Sequence, residues 1–434
     1  MHYIEQAATS ASQVLRAKSG EAARLKGWVA RKNQIGGLVF VLVRDGSGYV
    51  QVSGRKGVSP EPALESMRSV TIESAVQLEG RVKEDLRAPG GREVSISTFQ
   101  VIAKADKWPI TKTAAKSPSF VYDMRHLSMR GRKIVATMKI RTEITGAVFD
   151  FFRENDFFLI SAPIFVQAAV EGGATLFGMD YFGRRAFLSQ SAQFYEEAAL
   201  PALEKVWIFQ PAFRAEKSRT PKHLTEFWMI EAEQAFADLP MILTLQERLL
   251  AFIARRVLDR RTDELGILGR KISEPNLPLQ RMTYDEARAI AGKKGVEFVW
   301  GEDLPTKAEK AMSLAQDEPF FITDYPLSAR SFYHATYDDR PNVTKSADLI
   351  APEGIGELAT GGQRIDKYET LIERLRDQGI SAESLSWYLD LRRFGMPPHA
   401  GFGIGVERTT RWIAGLRHIR AAALFPRTPT RIYP

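Results

Sequence analysis

Short runs that alternate between apolar and polar residues fill the chain from residue 22 to residue 103. They include "LVFVLVRDGSG" and "YVQVSGRKG", and glycine-rich turns separate them, as is typical of short strands joined by hairpins. The Asp-Gly pair in "RDGSG" tolerates positive φ and predicts a tight turn. About five strands in roughly 80 residues predict a small β-barrel.

The pattern becomes helical after residue 130. "GRKIVATMKIRTEITGAVFDFFRENDF" and "LPMILTLQERLLAFIARRVLDRR" carry apolar residues at three- and four-residue spacing, which predicts two long amphipathic helices. Between them, "KVWIFQPAFRAE" and "HLTEFWMIEAEQAF" predict an antiparallel sheet buried on one side. These changes of residue pattern along the chain predict a barrel domain over residues 1–105, a linker over 106–130 and a larger domain over 131–434.

Composition narrows the possible chemistry of this 434-residue chain. It has no cysteine, which excludes disulfides, thiolate metal sites and a cysteine nucleophile, and fits a reducing cytosol. No apolar run is long enough for a membrane span, and the first residues lack a secretory signal. We therefore expect a cytoplasmic protein without membrane contact. The net charge of +8 permits a polyanionic partner such as nucleic acid.

A charged hairpin, "FRAEKSRTPKHLTEFWMIEAEQAF", covers residues 213–236. Strand alternation puts Arg214 and Glu216 on one face, and Glu231 and Glu233 share a face on the return strand. One interpretation is a ladder of salt bridges on a solvated sheet. The flanking aromatic residues favour a half-buried cleft, where charges need specific partners, and the cations of the loop could hold a phosphate tail.

Alternating glycines precede an arginine near the C-terminus, in "GFGIGVER". Gly401, Gly403 and Gly405 leave one face of a strand bare, so that a flat ligand or a phosphate could approach and Arg408 could meet its charge. Close helix packing is the more common reason for such alternating glycines.

"GELATGGQR" is a candidate platform for Mg²⁺. Glu357 and Thr360 offer a carboxylate and a hydroxyl, which suit Mg²⁺ when phosphate oxygens complete its shell, and Arg364 follows on the same segment. The alternative is an ordinary polar loop.

The segment "VEGGATLFGMDYFGRRAFLSQSAQFYEE" combines a hinge with a polar helix face. Glu171 precedes a Gly-Gly pair that predicts a mobile flap. Gln190, Gln193 and Glu196 recur at helical spacing, which is also the pattern of an exposed helix face.

Taken together and in this order, these four segments resemble a class II aminoacyl-tRNA synthetase of the aspartyl/asparaginyl/lysyl subgroup, from about residue 20 to the C-terminus. "FRENDFFLISAPIF" resembles motif 1, "FRAEKSRTPKHLTEF" motif 2 and "GFGIGVER" motif 3. The resemblance implies an α+β fold: an OB-type anticodon-binding barrel, then a catalytic domain with an antiparallel sheet flanked by helices. It also implies a homodimer built on motif 1.

Within the subgroup, "ADLIAPEGIGELATGGQRIDKYE" and "WYLDLRRFGMPPHAGFG" are most similar to the asparaginyl member. Aspartyl enzymes carry a lysine where this chain has Glu196, and a glutamate there would repel aspartate or accept a hydrogen bond from an amide. The implied function is ATP-dependent activation of asparagine and its transfer to tRNA(Asn). The alternatives are an aspartyl-tRNA synthetase, a paralogue that adenylates an amino acid for a non-tRNA acceptor, and a non-catalytic sensor.

The resemblance also implies roles for single residues. Arg214 and Arg408 would be catalytic, gripping the α- and γ-phosphates of ATP. The other ATP-binding residues would be Ala215, Glu216, Lys222, His223, Leu224, Phe227, Glu357, Gly405, Val406 and Glu407. The amino acid would be bound by Glu171, Gln193, Glu196, Arg214, Glu231, Thr360 and Arg364. Mg²⁺ would be held by Glu357 and Thr360, and the anticodon by Phe40 and Gln51.

Several positions depart from the family pattern. Asparaginyl enzymes usually have an apolar residue in place of Glu196 and an arginine in place of Lys222. Thr360, "ERTTRW" and "SFYHA" also differ, and several of these positions lie near the expected substrate side chain. They leave room for altered specificity. For Phe40, the alternative role is a residue of the barrel core.

Overall fold

The computed structural model describes residues 8–167, 176–217 and 220–434. The chain divides into two units, Met1–Tyr122 and Asp123–Pro434.

Five strands of the first unit close into a barrel in the order β1-β2-β3-β5-β4. The strands are β1 Ala22–Ile35, β2 Leu38–Arg44, β3 Tyr49–Arg55, β4 Ala75–Glu84 and β5 Arg92–Ala103, with helices α1 Ala11–Val14 and α2 Glu61–Ser69 beside them. Burial alternates along most of β1, β2 and β4, and valines and leucines fill the interior of the barrel. The predicted five-stranded barrel is confirmed.

The β2–β3 turn is stabilised by a side chain. Asp45 Oδ1 accepts hydrogen bonds from the backbone N–H groups of Ser47 (2.7 Å) and Gly48 (2.9 Å). Neither glycine of "RDGSG" has positive φ, so the turn forms where it was predicted but by an Asx-type contact.

Two short helices lie within the predicted linker, α3 Pro118–Asp123 and α4 Arg125–Ser128. Arg125 is buried, and its guanidinium donates to the carbonyls of Ala423 (3.0 Å) and Leu424 (2.6 Å). Arg125 belongs to the second unit, so these hydrogen bonds join the start of that unit to its C-terminal segment. The domain boundaries drawn from the sequence stay predictions.

An eight-stranded sheet organises the second unit, in the order β12-β13-β14-β15-β16-β11-β10-β6. Only the β6–β10 and β12–β13 pairs are parallel. The strands are β6 Phe158–Leu159, β10 Lys205–Phe213, β11 Glu226–Ala235, β12 Gln280–Thr283, β13 Phe320–Thr323, β14 Ser346–Ala351, β15 Gly356–Gln363 and β16 His399–Gly405. A second sheet joins β7 Phe165–Val166, β9 Arg184–Leu188 and β8 Gly178–Tyr181.

Helices complete the α+β architecture of the second unit. They are α5 Arg132–Glu154, α6 Gln193–Leu203, α7 Leu239–Arg260, α8 Thr262–Leu268, α9 Tyr284–Lys293, α10 Thr306–Ser313, α11 Tyr368–Asp377, α12 Ser386–Arg393 and α13 Val406–Ile413. The apolar faces of α5 and α7 pack on one face of the large sheet and form the main core. Ile230 and Ala232 of β11 belong to that core, so alternation turns the carboxylates of Glu231 and Glu233 to the other face.

No helix among the described residues is both long and apolar enough to cross a membrane.

Replacing Phe152 of α5 tests how much this core contributes to stability. Its fully buried ring stacks on Trp207, with 4.6 Å between centroids, and meets Phe157 edge-on at 5.2 Å. We expect Phe152→Ala to lower the free energy of unfolding by about 3–5 kcal/mol, because it removes buried apolar area and leaves a cavity. Urea denaturation followed by tryptophan fluorescence measures the change. Phe394→Ala is the matched control, since that ring is 76% exposed, and it should shift stability by less than about 0.5 kcal/mol.

Candidate active site

A cavity of about 310 Å³ lies on the face of the large sheet opposite the main core. Its floor includes residues of β11, β15 and β16, which pair in register with Glu231 opposite Gly403 and Gly403 opposite Thr360. The four residue steps from Gly401 to Gly405 span about 13 Å at the rise of a β-strand. Two groups of charged side chains are separated along this direction.

The cationic cluster, which consists of Arg214, Lys222, His223 and Arg408, lies towards Gly405. Arg214 follows β10, where its N–H donates to Thr225 O at 3.0 Å. Its guanidinium carbon is 5.6 Å from the ring centroid of Phe227. These four side chains and Phe227 line the cavity, so this end is suited to an anionic ligand with a flat ring.

Arg408, in the first turn of α13, contacts Glu357 on β15. Its Nη1 donates to Glu357 Oε1 at 2.6 Å and to Glu357 O at 3.2 Å. Burial raises the pKa of Glu357, but the charges of Arg408 and Lys222 outweigh it and lower the pKa to about 2. Glu357 therefore stays ionised at neutral pH.

Thr360 connects Glu357 to a second carboxylate. Its hydroxyl donates to Asp348 Oδ1 at 2.8 Å and lies 3.4 Å from Glu357 Oε1. Arg330 donates to Asp348 Oδ2 at 2.7 Å. Asp348 was not among the predicted site residues, although it pairs with Thr360 across β14 and β15. Arg330 lies in a loop, where the sequence carries no signal for it.

The two other members of the cluster, Lys222 and His223, already have protein contacts. Lys222 Nζ forms an ion pair with Glu309 of α10, whose Oε1 accepts from the N–H of Glu357 at 2.7 Å. His223 Nδ1 lies 2.6 Å from the hydroxyl of Thr220. Burial, and then the charge of Arg408, lower the pKa of His223, so this imidazole is mainly neutral at pH 7.

The carboxylate cluster, which consists of Glu231, Glu233 and Arg364, lies towards Gly401. Arg364 Nε and Nη2 donate to Glu233 Oε1 at 3.1 and 2.5 Å, and the exposures of Arg364 and Glu233 are 3% and 1%. Gly401 makes room for this pair, because a Cβ there would lie 2.1 Å from Glu233 Cδ. Part of the glycine alternation is thus explained by close packing. Glu233 belonged to the predicted hairpin face but not to the predicted binding residues.

Glu231 is fixed by the start of α6. Its Oε2 accepts from the hydroxyl of Ser191 at 2.7 Å and from the N–H of Ala192 at 2.8 Å. Gln193, the first residue of α6, lines the cavity. Its Nε2 donates to Glu197 Oε1 at 2.9 Å, which leaves its carbonyl oxygen as an acceptor.

Glu197 is the centre of a buried polar network. Besides Gln193, the hydroxyl of Tyr388 donates to it at 2.8 and 2.9 Å, Arg392 Nη2 donates at 2.5 Å, and His399 Nε2 lies 2.9 Å away. Burial raises the pKa of Glu197, but Arg392 and His399 outweigh this and hold the pKa below its ordinary range. No sequence pattern singled out this network.

Glu196, the neighbouring residue, differs from Glu197 in its hydrogen bonding and in the direction of its pKa shift. Its side chain is fully buried, and neither carboxyl oxygen has a hydrogen-bond partner among the described residues. Burial raises the pKa of Glu196 well above its ordinary value, and the charges of Glu231 and Glu233 raise it further.

Most of the predicted catalytic-domain residues line this one cavity. Besides those already named, they are Glu216, Leu224, Gly405 and Glu407. Three predicted residues do not line it: Ala215, Val406, which packs in the main core, and Glu196. Glu171 lies outside the described residues.

Phe40 and Gln51 lie on the outer face of the barrel. The neighbours Val39 and Val41 fill the interior, so the half-buried ring of Phe40 is not part of the core, because alternate residues of a strand face opposite ways. Gln51 Nε2 donates to Glu93 Oε2 at 2.9 Å. The anticodon role of both residues stays a prediction.

Comparison with known sequences defines the class of this protein. The chain belongs to the family of tRNA synthetases class II (D, K and N), which matches residues 117–429, and an OB-fold nucleic acid binding domain matches residues 23–102. The predicted family and the α+β architecture are thus confirmed.

Individual relatives cover nearly the whole chain. The asparagine–tRNA ligase of Thermococcus gammatolerans is 44% identical over 418 residues, 96% of each chain. The structure of asparaginyl-tRNA synthetase from Pyrococcus horikoshii complexed with asparaginyl-adenylate is 41% identical with a TM-score of 0.95, over 99% of this chain and 100% of that chain. The Entamoeba histolytica asparaginyl-tRNA synthetase in complex with asparaginyl-adenylate is 29% identical with a TM-score of 0.89, over 96% and 98%.

The ion pair between Arg408 and Glu357 predicts a pH-dependent contribution to stability. The folded-state pKa of about 2 is below the value of about 4.3 for an unfolded glutamate. The contribution is therefore complete above about pH 5 and is lost as the pH falls towards 2. We expect Glu357→Gln to lower the thermal midpoint most at pH 7 and progressively less at pH 4 and pH 3. The exposed Glu373 supplies the control Glu373→Gln, and a Glu357→Gln effect independent of pH would contradict the assignment.

Proposed function

We propose that this protein activates asparagine with ATP and transfers it to tRNA(Asn). The proposal is carried by its similarity, over 99% of the chain, to a synthetase solved with asparaginyl-adenylate. The cavity supports it, because its cationic cluster lies towards Gly405 and its carboxylate cluster towards Gly401, as the phosphates of ATP and an amino acid require.

At the cationic cluster, Arg214 and Arg408 neutralise the phosphates. The carboxylate of asparagine attacks the α-phosphorus, pyrophosphate leaves, and an acyl-adenylate forms. No general base is needed, since the attacking carboxylate is already ionised. Catalysis then consists of positioning the reactants and stabilising charge in the transition state. The adenine packs against Phe227, which lies beside Arg214.

Mg²⁺ fits the donors beside this cluster. Within the described ranges there is no group of three or more histidine, aspartate or glutamate side chains that could hold a metal, so the protein offers no complete cage. Glu357, Thr360 and Asp348 form a connected set of oxygens, which suits an ion that takes one or two carboxylates and completes its shell with water and phosphate. When bound, Mg²⁺ would neutralise charge on the phosphates of ATP.

At the carboxylate cluster, Glu231 and the carbonyl of Gln193 attract the substrate ammonium, with Glu171 as a further predicted ligand. Arg364 uses Nε and Nη2 for Glu233, and Nη1 has no hydrogen-bond partner within the described part of the chain. The N–H groups of Nη1 therefore remain to donate to the side-chain oxygen of asparagine.

After activation, a ribose hydroxyl of the terminal adenosine of tRNA attacks the acyl carbon and AMP leaves.

The barrel contributes tRNA binding in this proposal, through stacking on Phe40 and base-edge contacts of Gln51.

We also infer a homodimer through motif 1, whose Phe158 and Leu159 are 56% and 52% exposed in the single chain. The cytoplasm is the compartment in which we place this activity.

Asparagine-dependent ATP–pyrophosphate exchange, followed by charging of tRNA, tests the function. We expect activity with asparagine and a loss of roughly 10- to 100-fold in kcat/KM in Arg364→Ala, since a polar site that loses a buried partner loses about 1–3 kcal/mol. Thermal midpoints of the wild type, of Arg364→Ala and of Arg364→Lys separate this loss from unfolding, because Arg364→Ala leaves the buried Glu233 without its partner. Activity with aspartate alone would instead identify an aspartyl enzyme. Adenylate formation without tRNA charging would identify the paralogue with another acceptor.

The tRNA-binding role of the barrel is tested separately. We expect Phe40→Ala to raise the KM for tRNA by roughly 5- to 150-fold, because loss of one stacking contact costs about 1–3 kcal/mol. Exchange of pyrophosphate should be unchanged, since it needs no tRNA. Leu86→Ala, at a side chain 86% exposed on the same unit, is the control, and an equal effect of both variants on the KM for tRNA would remove Phe40 from the anticodon surface.

A further inference from the structure

Glu309 of α10 is a buried carboxylate to which the proposed reaction gives no role. It is not among the described residues that line the cavity, and its exposure is 5%. Both of its oxygens nevertheless contact residues of the cationic end. Oε2 forms the ion pair with Lys222 Nζ, and Oε1 accepts from the N–H of Glu357 at 2.7 Å. One side chain therefore joins a cation of motif 2 to the strand that carries Glu357.

The place of Glu309 is built into the start of β15. Gly356 has a φ of +88°, and a Cβ there would lie 1.9 Å from Glu309 Oε1, so this position requires glycine for its backbone and for the space beside it. Ser313, one turn further along α10, donates to Ala351 O at 2.5 Å and accepts from the N–H of Gly356 at 3.3 Å. These contacts attach α10 to β14 and β15 without the help of Lys222.

Lys222 lines the cavity, whereas Glu309 contacts it from outside the cavity lining. A lysine ammonium has three donors, and the ion pair with Glu309 uses one of them, which leaves N–H groups for a phosphate oxygen. A lysine on a flexible stem loses rotamer freedom when a ligand immobilises it, and this loss weakens binding. A lysine that the protein already holds loses less of this freedom when ATP binds.

We propose that Glu309 is a positioning residue for ATP, which holds the ammonium of Lys222 at the triphosphate through their ion pair. This inference rests on the proposed function and adds a residue of α10 to the cationic end of the site. Glu309 itself touches neither substrate. Its effect on the reaction passes through Lys222, which distinguishes it from a residue that only attaches α10 to β15.

Glu309→Gln separates the two contacts of this side chain. Glutamine keeps an oxygen that accepts from the N–H of Glu357 but removes the charge that holds Lys222. In ATP–pyrophosphate exchange we expect the KM for ATP to rise roughly three- to tenfold and the KM for asparagine to stay within about twofold, because only the lysine at the phosphates loses its fixed position. Glu309→Asp, whose shorter carboxylate withdraws from Lys222, replaces the glutamine variant if that variant does not fold.

The matched control is another pair of lysine and glutamate in the same unit. Lys139 Nζ lies 3.4 Å from Glu264 Oε1, and neither residue is among the described residues that line the cavity. Glu264→Gln should therefore leave the KM for ATP unchanged. Thermal midpoints of both glutamine variants show how much stability each ion pair contributes.

A double-variant cycle tests whether Glu309 acts through Lys222. Lys222→Gln should raise the KM for ATP by roughly tenfold or more, since a charge-assisted contact with phosphate is lost. Addition of Glu309→Gln to this variant should raise the KM no further, because the residue through which Glu309 acts is already gone. The thermal midpoint of the double variant should equal or exceed that of Lys222→Gln, since a buried carboxylate without its partner has been removed.

The outcomes separate the role of Glu309 from the function on which it rests. Wild-type exchange with asparagine, together with an unchanged or lower KM for ATP in Glu309→Gln, would overturn the positioning role and leave the function standing. Additive effects of the two substitutions on the KM for ATP would also overturn it, since that pattern belongs to a residue that acts without Lys222. A wild type without asparagine-dependent exchange would overturn the function, and the dissociation constant for ATP, measured by calorimetry in the same cycle, would then decide the role of Glu309.

Discussion

The buried ion pair between Arg364 and Glu233 is the contact on which the amino-acid end of the cavity depends. Both side chains are almost completely removed from solvent, where a charge without a partner is strongly destabilising. The pair forms because Gly401 leaves space on the neighbouring strand for the carboxylate. It fixes the guanidinium and orients Nη1, and it cancels one of the negative charges contributed by β11. The remaining charge of Glu231 then suits a substrate that brings its own ammonium group.

At the other end of the cavity, the cationic cluster supplies positive charge instead. Arg408 and Lys222 are each paired with a glutamate, Glu357 and Glu309, so the cations are held in place before a ligand arrives. Such preorganised charges need little rearrangement when phosphate binds, which is the physical basis of electrostatic catalysis. Both ends are positioned by the same strands, so the distance between the activated phosphate and the amino acid is set by strand register.

Helix α6 shows how a local environment sets the chemistry of a residue type. Glu196 and Glu197 are neighbours in sequence, and both are buried. Tyr388, Arg392 and His399 surround Glu197 with hydrogen bonds, whereas Glu196 faces Glu231 and Glu233. The difference in their protonation therefore comes from elements about 30 to 200 residues away in the chain, which meet only after the sheet has formed.

The sequence by itself determined the elements and the family. Alternating residues marked the barrel strands, helical spacing marked α5 and α7, and the pattern "FWMIEAEQAF" placed Glu231 and Glu233 on one face, because periodicity follows directly from backbone geometry. Tertiary structure decided the partners: Glu233 for Arg364, Asp348 for Thr360, and no hydrogen-bond partner among the described residues for Glu196. These contacts join strands and loops distant in sequence, and the burial that gives each charge its pKa exists only in the folded chain.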